Sequence, residues 1–132
     1  MPAETPRNFF DASLKPAVEE WRRDRLSRQK ALQALAQADV MAERMFRHLQ
    51  RHDPARLAGI ASATAYRNEV RARHLTLGLA WDAHDRGAVG VGRYGSGEQM
   101  TLVEDDGTRH PLALVLDQVL TAWEMELSKT GL

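Results

Sequence analysis

The sequence of 132 residues contains no cysteine. A disulfide framework, a thiolate zinc site and a cysteine nucleophile are therefore excluded. Long apolar runs are also lacking, since the longest, residues 112–116, is far too short to span a bilayer. The first residues carry neither the basic nor the apolar region of a secretory signal. We therefore expect a cytoplasmic protein that does not contact a membrane.

Glycine and proline are scarce between residues 16 and 86. Neither occurs between Pro16 and Pro54, and only two glycines interrupt residues 55–86. Asp53 followed by Pro54 is a strong helix-start signal, because aspartate accepts bonds from free N–H groups and proline suits the first turn. Gly78 costs about 1 kcal/mol of helix stability relative to alanine, which a close helix–helix approach would offset. The pattern predicts a long antiparallel hairpin of two helices.

The predicted fold is mainly α-helical, with a small sheet and a C-terminal helix packed on the hairpin. A flexible lead-in is predicted at residues 1–12 and a single domain at 13–132. Within the domain, the predicted elements are helix one at 13–52, helix two at 54–86, a glycine-rich loop with a β-hairpin or meander at 87–110, and a C-terminal helix at 111–129. Phe9 and Phe10 are expected to pin the lead-in to the body. A kink in helix one near Asp39 is left open.

Helix one carries an apolar stripe with the alternating three- and four-residue spacing of a packing seam. One interpretation is that the stripe forms the core of a single chain. The other is that it meets a second copy, because so long a hairpin has more side surface than one C-terminal segment can cover. The protein-interface residues predicted on that basis are Trp21, Leu32, Leu35, Phe46 and Leu49.

Neither sign of charge is in excess, because 18 basic residues balance 18 acidic ones. The distribution is uneven: residues 1–94 carry sixteen basic and eleven acidic residues, whereas residues 95–132 carry two and seven. We expect the acidic C-terminal part to fold back on the basic hairpin. The alternative is an open basic face that binds nucleic acid or another phosphate. Its predicted contacts are Arg22, Arg25, Arg28, Arg67, Arg71 and Arg93.

Two stretches contain residues that could carry chemistry. Residues 90–95 match G-x-G-x-x-G, but the string follows a helix and precedes a strand, the reverse of a dinucleotide fingerprint. A flexible connector is the favoured interpretation, with Arg93 as the candidate phosphate contact. His84 and Asp85 are adjacent, but His74 lies about 15 Å from His84 along a helix axis, too far to share an ion. No catalytic residue, metal site or cofactor is predicted.

The leading functional prediction is a non-catalytic interaction module, such as an adaptor, a chaperone or a regulatory subunit. It is expected to form a dimer or a larger homo-oligomer and to bind a further, unidentified protein. A nucleic-acid-binding regulator that uses the arginine face is the alternative. An enzyme that uses Arg93 together with His84 and Asp85 is a third hypothesis.

Overall fold

A computed structural model describes residues 5–94 and 97–132. In chain order its elements are α1 (Pro6–Phe9), a π-helical turn (Phe10–Leu14), α2 (Lys15–Arg22), α3 (Arg28–His52), a 3-10 helix (Pro54–Leu57), α4 (Ala63–Arg73), α5 (Leu75–Arg86), β1 (Val89–Tyr94), β2 (Gly97–Val103), β3 (Arg109–Pro111) and α6 (Leu112–Lys129). The predicted mainly α-helical class, with a small sheet and a C-terminal helix, is confirmed. None of the helices in these two ranges has both the length and the apolar character that crossing a membrane requires.

The N-terminal segment is helical, so the flexible lead-in predicted for residues 1–12 is wrong from Pro6 onward; its first four residues lie outside the described chain. The Thr5 hydroxyl accepts a hydrogen bond from the Asn8 backbone N–H at 3.1 Å and so caps α1. Both phenylalanines of the segment, at positions 9 and 10, are buried in the core. The expectation that they pin this segment to the body is confirmed.

The helix predicted over residues 13–52 is interrupted. α2 ends at Arg22, and α3 begins after Ser27, whose hydroxyl accepts a hydrogen bond from the Lys30 backbone N–H at 3.2 Å. This N-cap gives the chain a favourable point at which to start a new helix, because it satisfies a donor that the first turn leaves free. α3 then runs without interruption through Asp39, so the chain does not divide into two helices there.

The helix predicted over residues 54–86 is also divided. Pro54 begins only one turn of 3-10 helix, which ends at Ala58 in the left-handed conformation with a φ of 36°. α4 starts after a second N-cap, Ser62, whose hydroxyl accepts a backbone N–H bond at 3.1 Å. Extended backbone at His74, with a φ of −133°, then separates α4 from α5. The second arm of the hairpin therefore has two helices.

α5 runs antiparallel to α3, and α4 and α5 form a second antiparallel pair, because Arg67 and Arg71 of α4 contact Asp85 and Asp82 of α5. At the start of α3, the guanidinium of Arg28 donates hydrogen bonds to the carbonyls of Val89 and Gly87, at 3.0 and 2.8 Å. Near the other end of α3, the ring centre of Phe46 lies 6.2 Å from that of Tyr66 in α4. The predicted hairpin therefore differs in its second arm, which turns back at His74 into two shorter antiparallel helices that pack beside the continuous α3.

The three strands form an antiparallel meander in the order β1-β2-β3. Met100 of β2 pairs with Val91 of β1, and Met100 and Leu102 are buried where the sheet meets the helices. Gly92 fits β1 because a Cβ there would lie 2.7 Å from the guanidinium of Arg109, which reaches across from β3. The predicted β element is confirmed in its three-stranded form.

The acidic C-terminal part folds back on the basic N-terminal part, as the charge distribution predicts. Arg7 pairs with Glu124 of α6 at 2.6 Å, and Arg86 pairs with Asp105 at 2.8 Å. Two further pairs join this part of the chain to earlier helices: Arg22 with Asp117, and Arg73 with Glu126. Much of the positive charge of the helices is therefore neutralised within the chain.

Candidate functional site

The helices α3, α4 and α5 meet at a cluster of charged side chains. The Nε of Arg67 in α4 lies 3.2 Å from Oδ1 of Asp39 in α3, and its Nη2 lies 3.5 Å from Oδ2 of Asp85 in α5. The same guanidinium packs over the ring of Trp81, 4.7 Å from its centre. Two carboxylates and an aromatic face therefore fix the orientation of Arg67.

His84 approaches the same two carboxylates from the other side. Its Nδ1 lies 3.7 Å from Oδ2 of Asp39 and 3.9 Å from Oδ1 of Asp85, and both distances are too long for hydrogen bonds. Within the described chain this Nδ1 has no hydrogen-bond partner, and it is closed off from solvent. Asp39, Arg67, His84 and Asp85 are called the polar cluster below. In it, Arg67 and His84 face opposite oxygens of each carboxylate.

The electrostatics of Asp39 reflect its position between the helices. Burial raises the pKa of this carboxyl above its ordinary value, because it removes water from the charged form. The positive charge of Arg67 acts in the opposite direction and does not fully cancel the effect, while the negative charge of Asp85 adds to it. The two carboxylates thus repel each other at a site where one guanidinium compensates only part of their charge.

A groove of about 250 Å³ lies beside the polar cluster, between α3 and the start of α4. Asp39 and Arg67 form part of its wall, together with Glu43 and Thr64. The groove is open to solvent, so a water molecule or a small ion can reach the edge of the cluster. Glu43 pairs with Arg47 at 2.6 Å and adds a further carboxylate to this side.

Sequence reasoning found only part of the polar cluster. It singled out His84 and Asp85 but compared them with His74, whose Nε2 contacts Glu126 of α6 at 2.9 Å instead. It missed the contribution of Asp39. The available signal was the position of Asp39 in the apolar stripe of α3, where a carboxylate needs a partner from a neighbouring helix.

The arginine face is largely paired. Arg22 contacts both Glu19 and Asp117, and Arg71 contacts Asp82 at 2.7 Å. Arg67, a third predicted contact, belongs to the polar cluster. These pairs place a carboxylate beside each of three guanidinium groups, which weakens their combined attraction for a phosphate backbone.

The other predicted phosphate contacts lie in three separate settings. Arg28 is bound to backbone carbonyls next to β1, and Arg25 lies 6.0 Å from the ring centre of Trp21. Arg93 is exposed on β1 opposite Glu98, and it takes no part in the ion pairs of the polar cluster. Residues 90–94 of the G-x-G-x-x-G string form part of a strand, which corrects the prediction of a connector; its last glycine lies outside the described residues.

The predicted interface residues face the interior of the chain. Trp21, Leu35, Phe46 and Leu49 are between 0 % and 4 % exposed, and Leu32 is partly buried against the same core. The interpretation of the stripe as an interface between copies is therefore wrong for these side chains. α4, α5 and α6 complete the core around α3, so the apolar stripe of α3 packs against helices of the same chain.

Large apolar side chains are exposed on a different face. Leu114 and Met125 of α6 are 54 % and 50 % exposed, and Gln118 lies on the same stripe at helical spacing. The Thr76 hydroxyl of α5 donates a hydrogen bond to the Gln118 side chain at 2.7 Å, and Leu75, the residue before Thr76, is 79 % exposed. We call Leu75, Leu114 and Met125 the α5–α6 face.

Comparison with protein-family models, with curated proteins and with solved structures gives no match. The polar cluster and the α5–α6 face are therefore interpreted from their own chemistry. The cluster offers ion pairing and metal ligands, and the face offers apolar surface to a partner.

Proposed function

We propose that this protein is a non-catalytic interaction module, an adaptor, chaperone or regulatory subunit, that associates with a second copy of itself through the α5–α6 face. The observation that carries the proposal is the exposure of Leu75, Leu114 and Met125 on two adjoining helices. Exposed apolar side chains gain free energy when a partner removes them from water. Self-association by helical packing was the sequence-based expectation, and the proposal moves it to a different surface.

The charge of the chain supports a second copy as the occupant. The formal net charge is zero, so two copies do not repel each other at long range. A two-fold interface uses the same patch on both copies, and three exposed apolar side chains on two helices supply such a patch. A further protein partner and a cytoplasmic location remain part of the proposal.

The test is the mass of the protein in solution as a function of its concentration, measured by sedimentation velocity. Leu75→Glu and Leu114→Glu each place a carboxylate in the first turn of a helix, where the helix dipole favours it. Both variants should therefore keep their helices but remain monomeric at concentrations where the natural chain dimerises. Val91→Glu is the matched control, because Val91 is 46 % exposed but lies on β1.

A monomeric mass for the natural chain at every concentration would contradict self-association. Equal loss of association in Val91→Glu would show that the α5–α6 face is not the interface. Binding of nucleic acid by the arginine face stays a prediction. Fluorescence anisotropy at low and physiological salt tests it, since phosphate contacts give a steep salt dependence.

A further inference from the structure

One set of metal-ligating side chains comes together among residues 5–94 and 97–132. Asp39, His84 and Asp85 each offer one ligand atom, and these three atoms lie within 4.8 Å of one another. They come from two different helices, α3 and α5, so the hairpin register creates the set. One imidazole nitrogen and two carboxylate oxygens form a donor set suited to zinc and related divalent transition metals.

The distances suit an ion placed between the three groups. Zinc binds nitrogen and oxygen ligands at about 2.0–2.2 Å, which places the ligands of a tetrahedral site roughly 3.3–3.6 Å apart. The Nδ1 of His84 lies 3.7 Å from Asp39 and 3.9 Å from Asp85. Side-chain movements of a few tenths of an ångström would bring this nitrogen to coordination distance from an ion shared with either carboxylate.

An unsatisfied imidazole nitrogen also indicates a ligand. The Nδ1 of His84 is inaccessible to solvent and has no hydrogen-bond partner in the described part of the chain. Buried polar atoms of this kind are rare, and a bound ion or water is a common reason for them. The imidazole nitrogen faces the two carboxylate oxygens that Arg67 does not contact.

Arg67 has the geometry of an outer-sphere group. It binds Oδ1 of Asp39 and Oδ2 of Asp85, which directs the other oxygen of each carboxylate towards His84. Groups that hold metal ligands in this way orient them and restrict their rotation. The charge of Arg67 offsets only one of the two carboxylates, so the cluster keeps a net negative charge that favours a divalent cation.

We propose that Asp39, His84 and Asp85 bind one divalent transition-metal ion, with zinc as the reference ion. Three protein ligands leave a fourth tetrahedral position for water. The ion joins α3 to α5 and therefore stabilises the folded hairpin, because a metal that binds only the folded state raises its stability. This inference does not depend on self-association.

The test is a titration of the tag-free, metal-depleted protein with zinc in competition with a chromophoric chelator. One equivalent should bind, and the midpoint of thermal unfolding should rise with zinc. His84→Ala and Asp85→Asn should each lose this binding. Asp85 is exposed, so its replacement by asparagine leaves the core intact and keeps the test informative if His84→Ala folds poorly.

A matched control is available on α3. His48 and His52 have ring centres 4.7 Å apart and form the helical pair that would compete for zinc. The double variant His48→Gln/His52→Gln should bind zinc like the natural chain. The proposal is overturned if the natural chain takes up no zinc, if His84→Ala binds as tightly as the natural chain, or if only the double variant loses binding.

Discussion

His74 and Glu126 lie far apart in the sequence, but the Nε2 of the imidazole is 2.9 Å from Oε2 of the carboxylate. Glu126 is only 4 % exposed, and it also accepts a hydrogen bond from Arg73 at 2.6 Å and one from Lys129 at 3.4 Å. The contact connects the bend between α4 and α5 to α6. It gives a physical reason for the bend, because an uninterrupted helix at His74 would have to place this imidazole differently.

Replacing Glu126 with glutamine is predicted to lower the free energy of unfolding by about 1–2 kcal/mol. The reason is that hydrogen bonds to a buried charge stabilise more than neutral ones, while the 40 % exposure of the Arg73 side chain reduces the loss. Urea denaturation followed by circular dichroism measures it. Glu124→Gln is the control, since Glu124 is half-exposed on the same helix, and its loss should stay below about 1 kcal/mol. Equal effects of the two substitutions would contradict the prediction.

The same carboxylate predicts a pH dependence of stability. Burial acts to raise the pKa of Glu126, but the hydrogen bonds from Arg73 and His74 outweigh it and hold the pKa below the ordinary value of 4.5. A lowered pKa stabilises the folded state above pH 4.5, and the contribution disappears as the pH falls through the folded-state pKa. Urea midpoints measured across this range should therefore fall less steeply with acid in Glu126→Gln than in the natural chain. Parallel curves would refute the assignment.

The parts of the fold that the sequence predicted depend on local patterns. The stripe of α3 repeats at the spacing of a helix, and the acidic turn after β2 precedes a return strand, so both could be read from neighbouring residues. The helix breaks at residues 23–27 and 58–62 were missed because no proline marks them, and each new helix depends on one serine cap. Ser27 and Ser62 are each a single hydroxyl among many similar residues, whereas Asp53 and Pro54 formed the more obvious signal.

The polar cluster could not be predicted in the same way. His84 and Asp85 are neighbours in the sequence, but Asp39 reaches them only because of the register between α3 and α5. That register depends on how the core side chains of both helices interlock, which is a property of the packed chain. The chain predicted as one helix over 54–86 is divided, and this division also changes where α5 lies along α3. A straight helix over 54–86 would have given a different set of neighbours.

Leu35→Ala and Phe46→Ala are predicted to lower the free energy of unfolding by about 2–5 kcal/mol each. The reason is that both side chains are buried within the chain, so truncation leaves a cavity in the core. The loss should be independent of protein concentration in urea denaturation, whereas residues of a dimer interface would give a concentration-dependent loss. Leu75→Ala is the control, because a side chain that is 79 % exposed should contribute less than about 0.5 kcal/mol to the monomer.

Gly78 and Arg71 are predicted to be energetically coupled. A Cβ added at Gly78 would lie 3.2 Å from the Nε of Arg71, whose Nη2 also donates to the Gly78 carbonyl at 3.3 Å and to Asp82 at 2.7 Å. The close neighbour is therefore the end of a flexible side chain rather than the packed helix that the sequence suggested. Alanine gains about 1 kcal/mol of helix propensity over glycine but displaces this guanidinium.

Gly78→Ala should therefore stabilise the natural chain by less than about 1 kcal/mol and should give nearly the full gain in the Arg71→Ala background. Urea denaturation of the four proteins of this double-mutant cycle measures the coupling free energy. Equal gains in both backgrounds would show that the guanidinium moves aside without cost. A loss of stability in both backgrounds would instead indicate that another helix packs against Gly78, as the sequence alone suggested.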